Sequence, residues 1–143
     1  MADMKVAAYI CQGCGLGERL NTAALAKVAQ KEGKAALVKE HGFLCNAEGV
    51  KLIRDDIANE GVTHVMIGAC SRRAKTEAFG FTDVAVARAN LREGVIWSQP
   101  ETAEARETTQ EMAEDYIRMG CAEVKKMTLP MGDPAAVTER RVL

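Results

Sequence analysis

Short apolar runs recur along this 143-residue chain, and three of them run out into cysteine. Val6-Ala7-Ala8-Tyr9-Ile10 leads directly into Cys11 and then Cys14. Gly42-Phe43-Leu44 precedes Cys45, a few residues beyond Ala35-Ala36-Leu37-Val38, and Val65-Met66-Ile67-Gly68-Ala69 closes on Cys70. Runs this short and this continuously apolar read as strands buried on both faces, which places them in a parallel sheet covered by helices. Parallel strands share one carboxyl edge, where open α/β sheets hold their ligands. Four of the five cysteines are therefore expected along a single edge.

The segments between the runs have helical spacing. Lys5 to Ile10 is the first strand. A helix is predicted from its cap Asn21 to about Glu32, with Ala24, Leu25 and Val28 inward and Gly33 as the stop. Ala35 to Val38 is the second strand. Asn46 caps a helix ending near Glu60, with Val50, Ile53 and Ile57 on one face and Gly61 terminating it. Thr63 to Gly68 is the third strand, and a short helix is expected from Ser71 to Ala78. Val84 to Ala87 supplies a fourth strand and Val95 to Trp97 a possible fifth. A long helix from about Glu101 to Lys126 carries Met112, Tyr116, Ile117 and Met119 as its apolar stripe. The expected fold class is α/β: three layers around a mainly parallel sheet of four to five strands, flavodoxin/Rossmann-like; were the order the common flavodoxin-like 2-1-3-4, the loops after strands 2, 1 and 3 would be neighbours. Residues 1–127 form this domain. Pro130 to Ala136 read as a linker, and Arg140-Arg141-Val142-Leu143 as the opening of another strand, so that 128–143 lead into a following domain cut short.

Composition narrows the function classes. The chain is 48% hydrophobic and 27% charged with a formal net charge of −1, which leaves no electrostatic basis for nucleic-acid binding. No apolar stretch approaches the ~18 residues of a membrane span. Met1-Ala2-Asp3-Met4-Lys5 passes straight into the first strand without a basic and then apolar leader, so a cytoplasmic location is expected. In a reducing compartment, clustered cysteines serve metal or redox chemistry more often than disulfides, and an odd count of five fits no simple disulfide framework.

Adjacent strands lie about 4.8 Å apart, so three strand ends span only about 10 Å. One turn can present Cys11 and Cys14 to a common centre, with Gly13 and Gly15 letting backbone N–H groups approach the sulfurs. Asn46 and Ser71, directly after Cys45 and Cys70, stand at expected helix starts, whose positive ends favour thiolates. Arg72 and Arg73 either add charge there or form a solvated face. Ligand number and soft donors favour an iron–sulfur cluster. A four-cysteine zinc site, a Cys11/Cys14 dithiol and four unliganded buried thiols are the alternatives.

Other signals are weaker. Gly13-Cys14-Gly15-Leu16-Gly17-Glu18 misses the dinucleotide fingerprint by one position, leaving Glu40 as an unsupported ribose partner. His41 and His64 are expected to be satisfied locally, and Cys121 and Trp97 to pack. Asn90-Leu91-Arg92-Glu93 reads as a charged loop that could line the same edge. No Ser/His/Asp set or carboxylate pair points to hydrolysis.

Taken in order, Tyr9-Ile10-Cys11-Gln12-Gly13-Cys14-Gly15-Leu16-Gly17, Phe43-Leu44-Cys45, Gly68-Ala69-Cys70-Ser71-Arg72, Ala89-Asn90-Leu91-Arg92-Glu93 and Asp115-Tyr116-Ile117-Arg118-Met119-Gly120 form a specific set covering about residues 5–126. It resembles the amino-terminal domain of the A subunits of heterodisulfide reductases. The closest likeness is to the B subunit of the quinone-interacting membrane-bound oxidoreductase complex, whose branch the Cys-x-x-Cys spacing favours over Cys-x-Cys. The resemblance implies a [4Fe–4S] cluster on Cys11, Cys14, Cys45 and Cys70, relaying electrons in an oxidoreductase complex and non-catalytic alone. It further implies an adjoining flavin domain holding FAD, and redox subunits as partners, with no membrane insertion. The flavin fingerprint is absent from this chain, and Arg73 stands where the family commonly has proline.

Overall fold

The structure, a computed structural model, describes residues 3–132 and residue 135. Four strands, β1 (Val6–Cys11), β2 (Leu37–His41), β3 (His64–Ala69) and β4 (Ala85–Asn90), form one parallel sheet in the order β2-β1-β3-β4. The helices are α1 (Leu16–Arg19), α2 (Thr22–Lys31), α3 (Ala47–Glu60) and α4 (Arg106–Lys126). The order is the flavodoxin-like one, which makes the loops after β2, β1 and β3 neighbours, and the direction of winding reverses between β1 and β3.

One face of the sheet carries α2 over β1 and β2 and α4 over β3 and β4. Small residues let α4 lie close. A Cβ at Gly68 would stand 2.9 Å from Ile117 Cδ1, and one at Gly120 would stand 3.1 Å from Met66 Cγ. The other face is covered by α3 and the β3–β4 connection, whose Phe79 and Phe81 are buried. Arg54 of α3 lies over the Phe81 ring at 5.2 Å. Tyr9 and Lys39 are register partners beneath α3. The Tyr9 hydroxyl donates to Asp56 Oδ2 at 2.9 Å, and Lys39 Nζ donates to Asp56 Oδ1 at 2.7 Å. Burial, then the hydrogen bond and charge of Asp56, push the Tyr9 hydroxyl pKa well above its ordinary value.

Caps behave as the sequence foretells. Asn21 Oδ1 accepts from Ala24 N at 3.0 Å, Asn46 Oδ1 accepts from Gly49 N at 2.7 Å, and Gly61 ends α3 at φ 68°. Other expectations need correction. β2 starts at Leu37 because Ala35 is taken by the end of α2, its N–H bonding to Ala29 O at 3.0 Å. No helix follows Cys70. Residues 71–80 make turns because the Arg88 side chain takes the carbonyls of Cys70, Ser71 and Ala74. Val95–Trp97 is no strand. Residues Arg92–Ile96 form a π-helical turn, with Ile96 N bonding to Leu91 O and Trp97 N to Arg92 O, so the described sheet has four strands.

The long helix starts at Arg106, after Ala105 O accepts from Thr109 Oγ1 at 2.6 Å. Its inward stripe is Thr109, Ala113, Ile117, Gly120, Cys121 and Val124, whereas Met119 is 56% exposed. The close approach to Gly68 and Met66 selects small side chains for that stripe. Cys121 is packed as expected, its Sγ 2.6 Å from where a Gly33 Cβ would lie, and burial pushes its thiol pKa up. Residues 127–132 are neither helix nor strand, and the strand expected at Arg140–Leu143 lies outside the described residues. No described helix is long and apolar enough to cross a membrane.

Candidate metal centre

Three loops at the carboxyl edge bring the cysteines together. Cys11 is the buried last residue of β1, opposite His41 of β2. The chain then turns tightly. Gln12 N bonds to His41 O at 2.9 Å, Leu16 N to Gly13 O at 3.0 Å and Gly17 N to Gln12 O at 3.0 Å. Cys14 and Gly15 are both left-handed, at φ 55° and 84°. That conformation costs a non-glycine residue roughly 1–2 kcal/mol, and here it leaves the Cys14 thiol exposed at the rim. The loops after β1 and β2 touch at Gly13, where a Cβ would stand 2.7 Å from Gly42 O and 2.5 Å from the Phe43 ring.

Cys45 is half-buried in the loop that joins β2 to α3. His41 Nδ1 accepts from Phe43 N at 3.0 Å and Phe43 O accepts from Asn46 N at 3.2 Å, which fixes that loop. α3 supports it from below so closely that a Cβ at Gly49 would lie 2.5 Å from Leu44 Cα and from the carbonyl oxygens of Phe43 and Leu44. Gly49→Ala is therefore expected to destabilise the fold by about 1–3 kcal/mol, outweighing the gain in helix propensity. A lowered thermal-unfolding midpoint would register it. Cys70 directly follows β3 and is buried.

Cys11, Cys14, Cys45 and Cys70 line one cavity, together with Lys75 and Arg92. Burial raises the Cys11 pKa, and the neighbouring Cys45 and Cys14 add to that. The backbone N–H groups of Leu44 and Gly13, aimed at its sulfur, only partly offset the rise. These donors suit an anionic sulfur that must be stabilised without a side-chain partner.

Two arginines reach the sulfurs: Arg92, in the loop read as one that could line this edge, and Arg88, which the sequence-derived site lacked. Arg88, on β4, places Nη2 3.2 Å from Cys70 Sγ. Arg92, in the π-helical turn, places Nη1 3.4 Å from Cys14 Sγ. Burial lowers the Arg88 pKa, opposed by the Cys70 sulfur. For Arg92, burial is outweighed by hydrogen bonds to Glu93 and Cys14, and its pKa rises. Glu93 binds the Arg92 Nε and accepts from Ser71 N at 2.6 Å. Burial works against its charge, but these partners hold its carboxyl below the ordinary range. One signal for Arg88 was legible: an arginine inside the otherwise small and apolar strand Ala85-Val86-Ala87-Arg88-Ala89-Asn90.

Of the two readings of Arg72 and Arg73, the solvated one holds, since both are exposed. Arg72 turns to Glu123 at 3.3 Å, and Arg73 bonds through its backbone N–H to Ser71 Oγ. Both histidines are satisfied locally as expected, His41 by Phe43 N and His64 between Thr63 Oγ1 and Met127 O. Glu40 accepts from Gln12 Nε2 at 3.2 Å. Trp97 does not pack inside as expected. It is 65% exposed, its ring beneath the Arg92 guanidinium at 4.8 Å.

Among the described residues, no group of three or more Cys, His, Asp or Glu side chains is placed to hold a metal ion. A single zinc ion draws four sulfurs to about 2.3 Å from one point. In a [4Fe–4S] cluster each of four thiolates binds a different iron, so the sulfurs stand further apart around a common volume. Four thiols around one cavity, with N–H donors and guanidinium groups on three of them, make a soft donor set of the kind such a cluster uses.

No family model matches the chain. It is 26% identical, over 87% of its length, to the A subunit of the H2:CoB–CoM heterodisulfide, ferredoxin reductase of Methanothermobacter marburgensis, covering 20% of that protein. It is 29% identical, over 85% of its length, to the A subunit of the ferredoxin/F420H2-dependent CoB–CoM heterodisulfide reductase of Methanosarcina acetivorans, covering 16%. It is 23% identical, over 99% of its length, to the second iron–sulfur A subunit of the CoB–CoM heterodisulfide reductase of Methanopyrus kandleri, covering 22%. The chain thus spans about a fifth of the length of the curated relatives it matches. Its distant homologues are the A subunits of heterodisulfide reductases.

Proposed function

We propose that Cys11, Cys14, Cys45 and Cys70 ligate a [4Fe–4S] cluster and that this domain relays single electrons within a heterodisulfide reductase-like assembly. The observation that carries the reading is the shared cavity of the four thiols at the carboxyl edge of the sheet. Bound there, the cluster would take up and release one electron at a time. The protein's part is to hold and insulate it. The Gly13–Gly15 turn and the β2–α3 loop fix three sulfurs, and β3 delivers the fourth directly from the sheet. N–H donors from Gly13 and Leu44 stabilise the buried Cys11 thiolate.

Residues 1–127 would be the cluster domain and 128–143 the linker into a flavin domain that carries FAD. Electrons would pass between the two or to further clusters in partner subunits, in the cytoplasm and without direct membrane insertion. The name of the Methanopyrus relative, which describes it as iron–sulfur, agrees with the cofactor class, and the Cys-x-x-Cys spacing favours the quinone-linked branch.

Iron and sulfide analysis of anaerobically prepared protein is expected to give about four irons per chain, as a cubane requires. Low-temperature EPR should show a signal only after reduction with dithionite. Colourless protein holding one zinc after reconstitution would overturn the assignment.

A further inference from the structure

The 88–93 segment makes two contacts that cysteine ligation alone does not require. Arg88 Nη2 donates to Cys70 Sγ at 3.2 Å, to Cys70 O at 3.0 Å and to Ser71 O at 2.9 Å, while Nη1 donates to Ala74 O at 3.2 Å. Its guanidinium lies over the Phe79 ring at 4.5 Å, and its buried Nε has no hydrogen-bond partner among the described residues. A cation held over an aromatic ring, with one donor left unmatched, is positioned by more than loop packing. Arg92 repeats the arrangement at the rim, with Nη1 3.4 Å from Cys14 Sγ and its plane 4.8 Å from the Trp97 ring. Glu93 joins the two, binding Arg92 Nε and Ser71 N at once.

We infer that Arg88 and Arg92 are positioning residues that act through Cys70 and Cys14 to raise the affinity of the centre for an electron, an inference that rests on the cluster reading above. The physical reason is charge. Four thiolates around a [4Fe–4S]2+ core carry a net charge of −2, and one added electron makes it −3. Guanidinium N–H groups on two of the sulfurs interact more strongly with the second state than with the first. Hydrogen bonding to the sulfurs and solvent exposure are the protein's main levers on such potentials. The guanidinium groups also stand on different ligands, one buried and one at the rim, so their effects are separable.

The test is a redox titration of the anaerobically reconstituted full chain with dithionite as electron donor, followed by EPR and paired with iron analysis. Arg88→Ala would remove the support of residues 70–74 and risks the fold, so Arg92→Gln and Arg88→Lys are the informative variants. Arg92→Gln is expected to keep its iron and lose about tenfold in electron affinity, a negative shift of about 59 mV for one electron. Arg92→Lys should recover part of that shift, since charge is kept and only the planar fork is lost. Arg88→Lys should also shift the midpoint negatively. Full iron with an unchanged midpoint in both Arg92→Gln and Arg88→Lys would overturn the inference while leaving the cluster assignment intact. Wild-type chain that takes up no iron would overturn the assignment itself, and the inference with it.

Discussion

Cys45→Ser and Cys70→Ser, made singly, are each expected to strip the chain of most of its iron and of the reduced EPR signal. Serine offers a hard, weakly acidic oxygen where soft thiolate is needed. Cys70 is buried and its sulfur is engaged by the half-buried Arg88, so serine there would also replace a charge-assisted thiolate contact with a weaker hydroxyl one. Cys14→Ser should cost less, because the exposed rim admits water or another donor as a replacement. Cys121→Ser serves as the control, with iron unchanged, since its sulfur packs on Gly33. Iron per chain, measured with sulfide after identical reconstitution, decides among these. If the Cys45 and Cys70 variants kept thiol–disulfide exchange through Cys11 and Cys14 and wild-type metal content, the site would be a dithiol instead.

The largest effect on the fold is expected at Asp56, which is almost wholly buried yet joins β1, β2 and α3 through Tyr9 and Lys39. Breaking a fully buried ion pair costs about 3–5 kcal/mol, and orphaning a buried hydroxyl about 1–3 kcal/mol. The Lys39 side chain is 35% exposed and can return to water, while the Tyr9 hydroxyl cannot. Asp56→Ala should therefore lower the unfolding free energy by about 3 kcal/mol, toward the hydroxyl-dominated end of that range. Tyr9→Phe should cost about 1 kcal/mol, a typical net hydrogen bond. Denaturant unfolding with an unchanged m-value would measure both. An Asp56→Ala protein as stable as wild type would show that α3 needs no polar anchor on the sheet.

Much of this architecture was legible because it rests on local rules. Asn21 and Asn46 cap their helices and Gly61 ends one, since side-chain caps and left-handed glycines act within a few residues. Near-continuous apolar runs gave the strands away, and crossovers between them, helical before β2 and β3 and made of turns before β4, left every pairing parallel. Elements whose conformation depends on a distant partner were misread. Residues 71–78 have helix-compatible composition, but Arg88, more than ten positions later, takes their carbonyls. Val95-Ile96-Trp97 has strand composition, but Asn90 Oδ1 captures the N–H groups of Glu93 and Gly94 at 3.1 Å and starts a π-helical turn.

The same division runs through the site. By itself the sequence determined that four cysteines end strands or begin loops on one edge of a parallel sheet, because alternation of strand and helix makes that edge common to all of them. Only the tertiary structure decided the electrostatics around them: Arg88 and Arg92 on the sulfurs while Arg72 turns to Glu123, and backbone N–H groups at Cys11 in place of a helix start at Cys70. A long, flexible side chain has many places to go. Its choice is made by the ring it stacks on, the carbonyls it satisfies and the carboxylate that holds it, and these come together only when the sheet and its loops have closed.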